Sequence, residues 1–429
     1  MNTQQILLTG GKVVDPSQKL ERDAQVLIVD GKIADIGTGL EQVAPNAQKI
    51  DCRGCVITPG LIDIHVHFRE PGQEAKETIA TGSAAAVAGG FTTVCCMPNT
   101  QPALDDATQI EFVLTQAARA NLCHVLPIGA ITKARKGEEL AEMSLMQGAG
   151  AVGFSDDGVG VGSAAVMLKA LQYIKMLGSV LSQHCEEPTL TGGPMNAGLM
   201  AAKLGLGGLP AAAEELMISR DLLLNSRIGA RYHVQHISTA GAVDLVRQAK
   251  KLGQPVTTEV APHHLLLTDE CCATYDTHYK MNPPLRTQAD IEACIRGVVD
   301  GTIDCLATDH APHTREEKEL EFDKAPFGIV GLETALPLYI KALVEPGHLT
   351  LAQMIEKMTI VPAKVMQLEG RGTLAKGATA DVTIFDPTEA WTIDATKFAS
   401  KSRNTPFNGW NVKGRVKATI VAGRVVYQR

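Results

Sequence analysis

Between residues 62 and 309 the chain alternates two hydrophobic patterns, a short apolar run bounded by turn residues and then a longer stretch with apolar positions at helical spacing. The short runs fall at 62–67, 92–97, 124–129, 151–155, 180–184, 232–236, 256–260 and 304–309. Apolar runs of this length between turn signals read as strands. The helical spacing covers stretches such as 77–88, 106–120, 164–177, 211–224 and 240–250. Strands alternating with helices predict an α/β fold, and eight strands are the count for a (β/α)8 TIM-type barrel, whose usual size of roughly 250 residues fits the span.

The two ends carry a different pattern. Residues 6–14 and 24–33 read as short strands, with Asp30-Gly31 as a two-residue hairpin signal. Residues 380–386 and 418–427 are again β-rich with a glycine turn. Both termini are therefore expected to build one small β-sandwich, giving a composite domain of residues 1–58 and 365–429 around a catalytic barrel of residues 59–364.

Composition narrows the class. A chain of 429 residues with 45% hydrophobic content can bury a large core. Forty basic against forty-seven acidic residues leave a net charge of −7, with no Lys/Arg-rich run, so nucleic acid and anionic membrane surfaces are not expected partners. The first residues lack a basic segment followed by an apolar one, and no apolar run approaches the ~20 residues of a membrane helix. A cytoplasmic location is expected. The ten cysteines are scattered, several in strands, as reduced core thiols would be. Cys52-Arg-Gly-Cys55 has no second pair at zinc-ribbon spacing.

The chemistry gathers at strand ends. The run from Thr58 to Arg69 carries an apolar strand into His65 and His67, and side chains at i and i+2 point the same way, so the two imidazoles converge. Asp157 or its neighbour Asp156 ends the fourth strand, His184 the fifth, His236 the sixth and Asp309 the eighth. Singly, His184 or His236 reads as an ordinary semi-buried histidine. In a barrel, however, all C-terminal strand ends open on one mouth, and imidazoles with carboxylates are what zinc takes. A carboxylate on the fourth strand can bridge two metals. Strand alternation lets only one of Asp156 and Asp157 face that mouth. Arg69 offers a guanidinium fork matched to a carboxylate, with a structural salt bridge as its plainer reading. His263 and His264, ending the seventh strand, read as supporting or packing residues. The glycine-rich stretch Gly158 to Ser163 lacks the Lys-Ser/Thr ending of a phosphate loop and reads as a loop over the mouth.

These motifs resemble the amidohydrolase superfamily and, within it, class I dihydroorotases over nearly the whole chain. The resemblance is carried by Asp63-Ile-His-Val-His-Phe-Arg-Glu-Pro-Gly72, Met97-Pro-Asn-Thr100, Gly153-Phe-Ser-Asp-Asp-Gly158, Gln183-His-Cys-Glu186, His236-Ile-Ser-Thr239, Met281-Asn-Pro-Pro-Leu-Arg286 and Ala307-Thr-Asp-His-Ala-Pro-His313. Related hydantoinases, dihydropyrimidinases and allantoinases usually place a carboxylated lysine on the fourth strand, where this chain has aspartate. The resemblance selects Asp157 over Asp156. It implies one zinc on His65, His67, Asp157 and Asp309 and a second on Asp157, His184 and His236, hence one or two Zn2+ per chain. It assigns substrate contacts to His67, Arg69, Asn99, Asn282, His313, Phe327 and Gly328, with Arg69, Asn99 and His313 on the carboxylate and the backbone at 327–328 on the ring amides.

The implied activity is reversible cyclisation of N-carbamoyl-L-aspartate to dihydroorotate in pyrimidine biosynthesis. Zinc supplies a nucleophile by lowering the pKa of bound water to about 7, and Asp309 is the implied proton carrier. The resemblance also admits association with aspartate transcarbamoylase and a homodimer. Two rival readings stand at this point: another cyclic amidase such as a hydantoinase or allantoinase, and a non-catalytic dihydroorotase-like scaffold. Asp157 with Arg69 argues against the first, and the complete ligand set against the second.

Overall fold

The computed structural model describes residues 4–429. Eight parallel strands lie side by side in chain order: Leu61–Val66, Phe91–Cys96, His124–Gly129, Gly153–Phe154, Val180–Gln183, Arg231–Val234, Val256–Val260 and Cys305–Leu306. Between the first strand and the last, the seam carries a single bridge from Val66 to His310. Asp63 closes the gap, since its carboxylate accepts from the Thr308 amide at 3.2 Å and the Thr308 hydroxyl at 2.5 Å. Burial pushes that carboxyl up to about 7. The expected TIM-type barrel is thus present, held at its seam partly by a side chain.

One buried cluster gathers Ile62, Cys95, Ile128, Val180 and Cys305 from strands around the barrel, together with Ala363 and Val365 of the helix Ile360–Val365. A larger one lies between strands and outer helices and includes Phe91, Phe154, Tyr232 and Val234. The helices Ile79–Ala88, Ala107–Ala120, Ala164–Leu177, Ala211–Asn225 and Ala240–Lys251 occupy the foreseen stretches, and Gln288–Val299 adds another. Four of them begin where a side chain takes an otherwise unpaired amide: Thr78, Asp106, Ser163 and Thr239.

Strands from both ends of the chain form two further sheets. A four-stranded sheet joins Lys32–Gly37, Gln25–Val29, Gln5–Thr9 and Gln48–Asp51; a six-stranded one joins Arg424–Gln428, Asn411–Val421, Val382–Thr392, Val56–Pro59, Lys12–Asp15 and Leu20–Asp23. Ile6, Leu8, Val26 and Ile28 from the first sheet meet Val13, Ile57, Val382 and Ile420 from the second in one core, as a sandwich requires. The stretch 6–14 crosses from one sheet to the other at Gly10-Gly11. A Cβ on Gly10, whose φ is +77°, would sit 2.7 Å from Arg53 Cγ. Asp30-Gly31 forms the foreseen turn, with both φ angles positive and Val29 paired to Lys32.

The ten cysteines are free thiols. No helix among the described residues is long and apolar enough to cross a membrane.

Candidate metal centre

The first, fourth, fifth, sixth and eighth strands deliver His65, His67, Asp157, His184, His236 and Asp309 to one buried cluster. Asp157 stands at its centre. Its Oδ1 lies 3.3 Å from His65 Nε2, 3.7 Å from His184 Nδ1 and 3.6 Å from His236 Nε2, while Oδ2 lies 3.4 Å from His67 Nε2. Asp309 Oδ1 lies 3.0 Å from His67 Nε2 and 3.5 Å from His65 Nε2. Asp156, the other candidate on this strand, turns away and accepts the amides of Ile131 and Thr132 at 2.8 and 3.0 Å. His236 and Asp309 reach the cluster through left-handed backbone, with φ of +28° and +47°. Such conformations cost energy in non-glycine residues, and strain of this kind gathers at functional sites.

Three of the four imidazoles are oriented from behind, while His236 Nδ1 is buried without a partner. His65 Nδ1 bonds to Glu259 Oε1 at 2.6 Å, His67 Nδ1 to Asn99 Oδ1 at 2.8 Å and His184 Nε2 to Glu186 Oε2 at 3.0 Å. These bonds fix the tautomers, leaving His65 Nε2, His67 Nε2 and His184 Nδ1 as lone-pair donors aimed at the centre. His184 Nδ1 and His236 Nε2 converge to 2.9 Å. Burial tends to raise Asp157 and Asp309, yet the neighbouring imidazoles outweigh it and hold both carboxyls well below their ordinary range. For Glu259 the same balance, burial against His65 and His233, leaves it at about 2.

The donor set fits a divalent cation. His65 Nε2 and Asp157 Oδ1 are buried without a hydrogen-bond partner, a costly state for polar atoms unless an ion takes them. Two triads have ligand atoms within 4.8 Å of one another: His65 with Asp157 and His236, and His65 with His67 and Asp309. Nitrogen and carboxylate oxygen donors in this number match zinc.

Above the cluster opens a cavity of about 260 Å³. Every anticipated site residue except His65 lines it, and His65 lies beneath, fully buried. Arg69 enters the wall with φ +60°, its Nε donating to the Pro312 carbonyl at 3.2 Å. No carboxylate among the described residues pairs with it, and burial lowers its guanidinium to about 10. Asn282 donates to Glu186 at 2.6 Å, while its own Oδ1 is buried and unpartnered. Asn99 also directs its Nδ2 to Asp157 at 3.5 Å, so it serves the cluster as well as the cavity. His313 Nε2 donates to the Phe327 carbonyl at 2.7 Å, and burial pushes its ring down to about 3. At Gly328 the amide donates to Lys280 O at 3.0 Å and the carbonyl accepts from Asn404 at 3.0 Å.

Some contributors were absent from the sequence reading. Glu259 and Glu186 support imidazoles of the cluster, and Arg135 donates to the Asp157 carbonyl. Glu186 was within reach, two residues after His184 in the quoted Gln183-His-Cys-Glu186. His263 and His264 lie buried beside one another, ring centroids 4.4 Å apart, and lend no atom to either triad.

Comparison with known proteins places this geometry. A family described as Dihydro-orotase-like matches residues 54–242, and one described as Amidohydrolase family matches residues 326–427. A dihydroorotase of Pelotomaculum thermopropionicum is 53% identical over 99% of this chain and 98% of its own length. A dihydroorotase of Geobacter sp. is 51% identical over 99% of both. Among solved structures, an L-hydantoinase (dihydropyrimidinase) from Arthrobacter aurescens superposes with a TM-score of 0.88 at 29% identity, over 99% of this chain and 96% of that one.

Proposed function

This chain belongs to the dihydroorotases, hydrolases of cyclic amides, and from that premise we propose that it is a zinc-dependent enzyme interconverting dihydroorotate and N-carbamoyl-L-aspartate in pyrimidine biosynthesis. The observation that carries this reading is Arg69, a buried guanidinium without a carboxylate partner on the wall of the cavity above the His/Asp cluster. A buried cation seeks an anion, and dihydroorotate carries a carboxylate where hydantoin and dihydrouracil carry none.

His65, His67, Asp157 and Asp309 would hold one zinc and Asp157, His184 and His236 a second, and the bound metal would supply a nucleophile at neutral pH and polarise the ring carbonyl. The chain's own groups do the rest. Arg69 and Asn99 hold the substrate's carboxylate, joined by His313 once its Nε2–H turns from the Phe327 carbonyl, while Asn282 and the backbone at Phe327 and Gly328 orient the ring. Asp309 accepts a proton from the attacking group and returns it to the leaving nitrogen as the ring opens. In the reverse direction Asp309 takes the proton of the attacking nitrogen and gives it to the leaving oxygen; closure turns a carboxylate into a neutral amide and so takes up one further proton from solvent to complete the water, which favours it at lower pH. Asp309 lies 3.0 Å from His67 Nε2 and lines the cavity, within reach of both cluster and ligand.

The proposed division of labour sets a catalytic barrel of residues 59–364 on a sandwich of residues 1–58 and 365–429. A cytoplasmic setting suits a pathway of soluble intermediates. Association with aspartate transcarbamoylase and a homodimer rest on the family resemblance alone.

The test is a zinc-supplemented rate assay of dihydroorotate and N-carbamoyl-L-aspartate beside hydantoin, dihydrouracil and allantoin. Turnover confined to the first pair is expected. Turnover of the neutral rings would move the chain to the hydantoinases, whose fold it shares, and turnover of none would point to a scaffold or a partner-dependent enzyme.

A further inference from the structure

Behind the cavity wall formed by Pro326, Phe327 and Gly328 lies a buried ammonium that no carboxylate among the described residues pairs with. Lys318 Nζ donates to the carbonyls of Pro326 at 2.9 Å, Gly328 at 3.2 Å and Lys280 at 3.5 Å, and the residue is 4% exposed. Burying a lone cation against three carbonyl dipoles is expensive. Burial, with Lys280 beside it, pushes this lysine down to about 7. A fold that keeps such a group has a use for it, or the cost goes unexplained.

The main chain of the wall shows what the use is. Gly328 N–H is taken by Lys280 O, the Phe327 carbonyl by His313, and the Gly328 carbonyl by Lys318 and Asn404. The Phe327 N–H alone finds no acceptor among the described residues. In a planar trans peptide the C=O and N–H point in opposite directions. By drawing the Pro326 carbonyl backward, Lys318 turns the Phe327 N–H of the same peptide away from itself. Pro326 and Phe327 both line the cavity.

We propose that Lys318 is a positioning residue: it holds the Pro326–Phe327 peptide so that the Phe327 N–H stands as a free donor for an oxygen of the anionic substrate. Lys318 touches no reacting atom and works through the peptide it orients. Lys280 braces the same wall from the side, its Nζ 4.7 Å from the Phe327 ring centroid. The inference rests on the dihydroorotase reading and adds to it the identity of the group that sets the wall.

The experiment compares wild type, Lys318→Met and Lys318→Arg in steady-state hydrolysis of dihydroorotate. Lys318→Met is expected to raise KM at least tenfold with kcat within threefold and metal content unchanged, and Lys318→Arg, which keeps charge and donors, to bring KM back toward wild type. A Lys318→Met KM within twofold of wild type overturns the proposal. Wild type without turnover overturns the dihydroorotase reading instead, so the two failures are distinct. Where Lys318→Met does not fold, wild type labelled with 15N-phenylalanine tests the donor that the proposal requires, since only nine amides appear. The resonance that disappears in Phe327→Leu should move on saturation with dihydroorotate, and one that stays in place overturns the proposal.

Discussion

Asp157 Oδ1 and His65 Nε2 face each other across 3.3 Å, and neither has a hydrogen-bond partner. Two unsatisfied lone-pair donors at this distance, both fully buried, make the cluster depend on a cation for its stability as well as its chemistry. Exhaustive chelation is therefore expected to abolish turnover and lower the unfolding midpoint together, with zinc restoring both. Protein purified without chelator should carry at least one zinc per chain by elemental analysis; a smaller content together with full activity would undo the assignment of these residues.

Asp309→Asn separates proton transfer from ligation. The amide keeps an oxygen toward His67 but has no useful basicity, so kcat should drop by about 10²–10⁴-fold. Zinc content is the control. If turnover survives with metal still bound, the proton moves through another group.

Arg69→Met tests carboxylate recognition. The guanidinium already gives its Nε to Pro312, so what it offers a ligand is the rest of its fork. Removing one charge-assisted pair costs about 2.7 kcal/mol, or roughly 10²-fold in kcat/KM for dihydroorotate. Selectivity against hydantoin should fall by the same factor. An unchanged ratio would return Arg69 to a structural role.

Much of this is legible in the chain itself, and the exceptions share a cause. Period and turn chemistry are local, so the barrel strands, the outer helices and the Asp30-Gly31 hairpin could be read from the chain. The gathering of His65, His67, His184, His236 and Asp309 at one place followed from one topological fact, that strand ends meet at one mouth. What stayed hidden depends on a neighbour far away in sequence. Glu259 looks like any strand glutamate until His65, 194 positions earlier, places its Nδ1 on it. Asp63 seals the barrel seam only because Thr308 arrives beside it. Asp156 and Asp157 were separable by resemblance but not by alternation; the amides of Ile131 and Thr132 make the physical difference.

Glu259→Gln follows from that hidden contact. Glutamine can still accept from His65 Nδ1 but loses the charge that raises the basicity of the ring. Zinc affinity should weaken by about 10- to 100-fold, measured by competition with a chromophoric chelator, while kcat at saturating zinc changes far less. Unaltered affinity would mean that Glu259 serves packing only.

Glu333 ties the wall side of the barrel to the C-terminal segment and carries a pH dependence whose sign can be worked out. Its carboxylate accepts the amides of Ala399 and Ser400 at 3.0 and 3.1 Å. Burial, acting against those two bonds, pushes it up to about 7 from an ordinary 4.5. The folded chain therefore holds a proton there that the unfolded chain has released, between those two values. Its contribution to stability is full below the lower value and is lost as pH rises through the upper one. Glu333→Gln removes the titration. Relative to that variant, wild type should lose on the order of 1–3 kcal/mol between pH 4.5 and pH 8, read as a narrowing or reversal of the difference in unfolding midpoint. A difference that stays constant across that range would show that Glu333 titrates alike in the folded and unfolded chain.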